Sequence, residues 1–168
     1  MVGLAGDLGD ATAEDPIERV SSRVQAIAEF YAPTDFLNYG QNGAHALGDG
    51  LLADYHAPFD FHDFDAETKT FQRITDERRI LEIARQISPI THVDSDSPPT
   101  LAIHGEVDLL VPLQQSQILV EKLKQAKVAT RLVVKAGAEH GWEDVSAEID
   151  LIGDWFDTHL NGREKGKG

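Results

Sequence analysis

Apolar residues along the chain fall into short runs, and the runs alternate between a strand-like and a helix-like period. Residues 24–31 (VQAIAEFY) are small and apolar, and Ser21-Ser22 and Ala32-Pro33-Thr34-Asp35 bound them, which predicts a buried parallel strand. In residues 75–87, Ile80, Ile83, Ala84 and Ile87 recur at three and four positions behind a capping Thr75 or Asp76. That pattern predicts an amphipathic helix, ended by Ser88-Pro89. Pro98-Pro99 sets up a second strand at 100–103. Pro112 then opens a second helix, where the first turn tolerates proline, with Leu119, Leu123 and Ala126 on one face. Residues 131–134 predict a third strand. Asp144 or Ser146 caps a last helix with an apolar stripe of Ile149, Ile152, Phe156 and Leu160, flanked by Trp155. The expectation is an α/β chain of about three parallel strands with flanking helices.

Two regions fall outside this rhythm. Residues 1–19 are rich in Gly and Asp and read as a frayed helix end followed by loop. Residues 38–72 read as a long irregular insertion holding Gly40, Gly43, Gly48 and Gly50. Loops of that length in compact domains are usually functional. Tyr55, Phe59, Phe61 and Phe64 either line a binding surface or anchor the insertion to the core. His56, Asp60, His62, Asp63 and Asp65 are metal-ligand types, but their spacing fits no metal signature, and no metal is expected. One domain over residues 1–160, with 38–72 as a lid-like insertion and 161–168 as a polar tail, is the expected organisation.

Composition narrows the partners. The 168 residues carry a formal charge of −14, which disfavours nucleic acid and anionic membrane surfaces. No run approaches the roughly 18 apolar residues of a membrane span. With no cysteine there is neither a disulfide framework nor a thiolate metal site. The first residues of this chain lack the basic and apolar segments of a signal peptide. Localisation stays open.

Chemistry concentrates in residues 98–142. A strand ends in His104-Gly105, followed by Asp108-Leu109-Leu110-Val111-Pro112. The next strand ends in a loop carrying Gly137-Ala138-Glu139-His140-Gly141-Trp142. An acid and a histidine thus follow successive parallel strands, the place where α/β sheets collect chemistry. Order, spacing and flanking structure resemble the C-terminal part of an α/β-hydrolase of the esterase and prolyl-oligopeptidase-like branch, which includes carbohydrate esterases of the feruloyl and acetyl-xylan type. The resemblance runs from Gly3 to Leu160. It implies a C-terminal portion of the α/β-hydrolase fold, with Asp108 as the triad acid and His140 as the base. It also places Tyr31 and Asp35 near the active-site rim and Tyr31 and Trp142 beside the substrate.

A serine nucleophile in this fold sits in a G-x-S-x-G elbow. None of Ser21, Ser22, Ser88, Ser95, Ser97, Ser116 or Ser146 has that context, so this chain carries no nucleophile. The resemblance places it just before Met1, together with the oxyanion hole. The expected activity is hydrolysis of a small-molecule ester without a cofactor, with this chain alone inactive. A peptidase of the same branch and a non-catalytic binding or assembly module are the alternatives. A nucleotide-binding fold is weak, since neither G-x-G-x-x-G nor a P-loop pattern is present. Glu106 competes with Asp108 for the acid role, Asp35 reads as a turn cap, and His92 and His104 read as structural. The resembled fold has about eight strands, so three should leave an open sheet edge. The isolated chain is expected to associate with itself or with the missing N-terminal half.

Overall fold

The computed structural model describes residues 1–48 and 52–161. In chain order the elements are β1 (Ile27–Phe30), β2 (His62–Asp65), β3 (Thr70–Arg73), α1 (Glu77–Ile87), β4 (Thr100–Gly105), α2 (Gln114–Gln125), β5 (Thr130–Lys135) and α3 (Ser146–Asn161). β1, β4 and β5 form a parallel sheet in the order β1–β4–β5, and β2 and β3 form a separate antiparallel hairpin. The α/β architecture expected from the alternating periods is therefore the observed one.

β4 is the centre of the sheet, and all six of its residues are buried. A strand covered on both faces reads as a continuous apolar run. Burying Leu101 and Ile103 stabilises the fold by roughly 2–3 kcal/mol each. Register then sets the site. Phe30 of β1 lies opposite Ile103, and Gly105 lies opposite Lys135 of β5. The carboxyl ends of the three strands therefore share one edge.

β1 is shorter than the expected 24–31. Its ladder begins where the Ile27 N–H reaches the Pro99 carbonyl and closes where the Tyr31 N–H reaches Ile103. Upstream, Pro98 and Pro99 have no N–H to extend the pairing.

Local signals set the helices. The Asp76 carboxylate, not Thr75, caps α1 by accepting the Arg79 N–H at 3.0 Å. α2 starts at Gln114, two residues after the proline expected to open it. The Pro112 carbonyl instead accepts the Gln115 N–H in the preceding turn. α2 buries Leu119 and Leu123 against Ile90 and Val128, with Leu4 of the N-terminal segment packed alongside. Asp144 accepts the Ser146 N–H at the start of α3.

The insertion is more regular than the sequence suggested. Residues 62–73 form the β2–β3 hairpin, where Phe64 and Phe71 face each other with ring centroids 5.4 Å apart. Both rings are largely exposed. Phe59 anchors, meeting Phe36 edge to face against a cluster of Tyr39, Ala46, Leu52 and Val111. The polar residues of the insertion have local work. Asp60 pairs with Arg73 at 2.7 Å, His62 contacts the Asp60 carbonyl, and Asp65 caps the turn at Glu67 and Thr68. Gly50 and the tail residues 162–168 lie outside the described residues.

Candidate active site

The site is assembled from three loops at the carboxyl edge of the sheet. The loop after β4 supplies Asp108. Its Oδ1 accepts the N–H groups of Leu110 and Val111 at 2.9 and 2.8 Å. Its side chain is completely buried. Two backbone donors fix the carboxylate plane and aim Oδ2 toward the loop after β5.

That loop supplies His140, whose Nδ1 lies 2.8 Å from Asp108 Oδ2. A carboxylate only accepts, so Nδ1 carries the proton and the lone pair lies on Nε2. The imidazole keeps 34% of its surface exposed, so one nitrogen is held while the other stays accessible. Gly141 bends the chain just beyond it with φ of 112°, a region other residues avoid. On the far side of the loop, Glu148 of α3 accepts from Lys135 at 2.8 Å and from the Trp142 indole N–H at 3.2 Å. The Lys135 hydrogen bond, the largest cause, holds the Glu148 carboxyl below its ordinary value.

β1 supplies the third wall. Tyr31 has φ of 40°, a strained left-handed conformation for a bulky residue. Its N–H still completes the ladder to Ile103, while its ring lies 4.3 Å from the His140 ring. Tyr31, Tyr39, Leu52, Tyr55, Leu110 and His140 are among the residues lining a cavity of about 530 Å³. A hollow of similar size lies among N-terminal turn residues such as Leu8, Ile17 and Glu18, away from this pair.

The residues singled out in the sequence thus fall in definite places. Asp108, His140 and Tyr31 meet. Trp142 packs at 5.9 Å from the Phe30 ring and 6.0 Å from that of Tyr31, tying the His140 loop to β1. Glu106 turns away, accepting the Gly137 N–H. Asp35 caps its own turn at Leu37 and also accepts from Asn38. His92 contacts the Gln86 carbonyl near the end of α1. Ser116 and His104 lie 2.7 Å apart, and His104 lies 3.5 Å from Asp108, which superficially repeats a hydrolytic triad. Both side chains have no exposed surface, so no ester can reach that serine.

Sequence reasoning missed Gln115. It is fully buried, accepts the N–H groups of Thr34 and Asp35, and donates to the Asn38 carbonyl, so it clamps the cavity wall to α2. Only its place on the apolar face of α2 hinted at this. Glu29 was also missed. Burial pushes its carboxyl up to about 7, against hydrogen bonds from the Ala32 N–H and Ser116 that pull it down.

A parallel sheet with Asp108 and His140 in the loops after successive strands is the arrangement of an α/β-hydrolase fold. The chain belongs to the BD-FAE family, whose profile matches residues 1–123. It is 30% identical over 128 residues to the probable carboxylic ester hydrolase LipM of Mycobacterium tuberculosis, covering 73% of this chain and 26% of that one. Its fold resembles an acetyl ester-xyloside bifunctional hydrolase from Caldicellulosiruptor lactoaceticus, with TM-score 0.58 and 22% identity over 92% of this chain and 47% of that one. A truncated carbohydrate esterase from gut microbiota gives TM-score 0.62 at 19% identity, covering 92% of this chain and 54% of that one. The chain therefore spans about a quarter of the length of LipM and about half of the two solved structures.

Proposed function

We propose that this chain carries the acid and base of a serine carboxylic ester hydrolase. The carrying observation is the 2.8 Å contact from His140 Nδ1 to buried Asp108, with the second imidazole nitrogen left accessible beside an apolar cavity. In this reading His140 Nε2 takes the proton of a serine hydroxyl as it attacks the ester carbonyl. It then returns that proton to the departing alcohol. Asp108 holds the tautomer and stabilises the imidazolium.

The serine comes from a segment outside these residues. No serine here has the elbow context, and Ser116, the only one bonded to a histidine among the described residues, is sealed in the core. β1 is paired only to β4 among the described residues, so its second edge suits the strand leading to that serine. Tyr31 forms the wall beside the base, Trp142 holds the base loop, and the 38–72 insertion covers the cavity through Tyr39 and Tyr55. Residues 1–160 act as one partial domain.

The test begins with the DNA upstream of the Met1 codon. The longest in-frame polypeptide is expressed and assayed on p-nitrophenyl acetate. An upstream G-x-S-x-G and a rate that falls on the order of 10³-fold or more in His140→Ala are expected. The 168-residue chain alone should hydrolyse the ester no faster than its own His140→Ala variant. A longer protein whose esterase rate ignores His140→Ala overturns the assignment.

A further inference from the structure

Behind the Asp108–His140 pair lies a second buried polar chain that the proposed reaction does not use. His104 Nε2 lies 2.8 Å from the Val111 carbonyl, which only accepts, so Nε2 carries a proton. The same N–H edge lies 3.5 Å from Asp108 Oδ2. His104 Nδ1 lies 2.7 Å from Ser116 Oγ, and Ser116 Oγ lies 3.4 Å from Glu29 Oε1. Glu29 Oε2 accepts the Ala32 N–H at 2.8 Å, next to the strained Tyr31.

Proton counting makes this chain more than packing. The Ser116 hydroxyl has one proton and two neighbours that can accept it. If it points to Glu29, then His104 Nδ1 either donates as part of an imidazolium or is left without a donor. If it points to His104, then Glu29 either donates its own proton to Ser116 or stands as a buried carboxylate with no partner on Oε1.

We propose that Glu29, Ser116 and His104 form a buried proton relay that positions Asp108, with Glu29 the group that gains and loses the shared proton. With Glu29 protonated, its O–H donates to Ser116, and Ser116 donates to neutral His104. Moving both protons one step leaves a Glu29 carboxylate and a His104 imidazolium, with no atom gained or lost. When Glu29 gives its proton to solvent, Ser116 turns to the carboxylate and His104 Nδ1 loses its donor. Burial that pushes Glu29 up to about 7 places this event near neutrality. The titratable groups facing the relay are Asp108 from the loop after β4, Tyr31 from the end of β1, and His140 beyond Asp108.

Calling these positioning residues rests on the acid–base reading of Asp108 and His140, but the relay can be read without any catalysis. Long-range ¹H–¹⁵N spectra of the histidine rings, taken on the labelled 168-residue chain across neutral pH, test it. The His104 ring is expected to keep its Nε2 proton, while Nδ1 shifts with a midpoint near 7. Glu29→Gln should abolish that transition. Ser116→Ala, which cuts the chain at its middle, should abolish it too. A flat Nδ1 profile in the wild type, or a transition that survives either folded variant, overturns the relay and leaves the His140–Asp108 reading intact. An esterase rate indifferent to His140 removes that reading and leaves the relay's Nδ1 transition unchanged.

Discussion

Gly105, the last residue of β4, lies directly under the Glu139 carbonyl of the His140 loop, with the Ala138 carbonyl beside it. The Val107 N–H donates to Ala138, so the Asp108 loop and the His140 loop are laced together at backbone level. A β-carbon at this position would occupy the space of the Glu139 oxygen, and no flexible side chain is there to yield.

Gly105→Ala should therefore push the His140 loop away from the Asp108 loop. Expected outcomes are a stability loss of roughly 2–4 kcal/mol and loss of the His140 Nδ1–H signal hydrogen-bonded to Asp108. Denaturant unfolding and the ring-proton spectrum check these together. Gly137, whose added β-carbon meets nothing, is the control for the space around the loop, although its φ of 66° still strains an alanine there.

Gln115→Leu keeps the side-chain bulk but leaves the Thr34 and Asp35 N–H groups and the Asn38 carbonyl without that partner. Unsatisfied buried groups cost about 1–3 kcal/mol each, less any water that enters. A total loss of the order of 3 kcal/mol is expected, with faster amide exchange at Thr34 and Asp35. Unchanged exchange there would show that Gln115 does not hold the wall.

Glu29 gives a pH prediction with a definite sign. Its carboxyl is raised from 4.5 to about 7 in the folded chain, so the folded state binds the proton more tightly than the unfolded one. The resulting stability is fully present below the unfolded value and is lost as pH rises through about 7. Glu29→Gln stays neutral throughout. The stability of the wild type relative to Glu29→Gln should fall with rising pH, by an amount of the order of 2–3 kcal/mol. Urea unfolding at pH near 5 and near 8 measures the difference, and a pH-independent difference contradicts the assignment.

The open edge of β1 leads to the fourth expectation. The isolated chain should self-associate or gain stability from a partner polypeptide that supplies the adjoining strand. Sedimentation at several concentrations checks it. A concentration-independent monomer with a cooperative melt counts against it.

Much of this was legible in local pattern. The buried run around Leu101 and Ile103 and the spacing of Ile80, Ala84 and Ile87 are signatures of short range, and strand and helix followed them. The hairpin at 62–73 was not legible, because its charged residues make no apolar alternation and its strands are held by pairing rather than by burial. The distinction between Glu106 and Asp108 was carried by resemblance alone. In the structure Glu106 accepts the Gly137 N–H, while Asp108 meets His140.

The sequence by itself determined the periods, the strand ends and the presence of an aspartate and a histidine after successive strands, since these depend on neighbours along the chain. Only the tertiary structure decided what depends on residues far apart in sequence. The parallel register carries Asp108 and His140 from separate loops to one hydrogen bond, and Tyr31 to the face of the imidazole. Burial then divides the two histidines that lie near Asp108. It seals Ser116 and His104 in the core and leaves His140 open to the cavity, a difference in solvent access that no local pattern encodes.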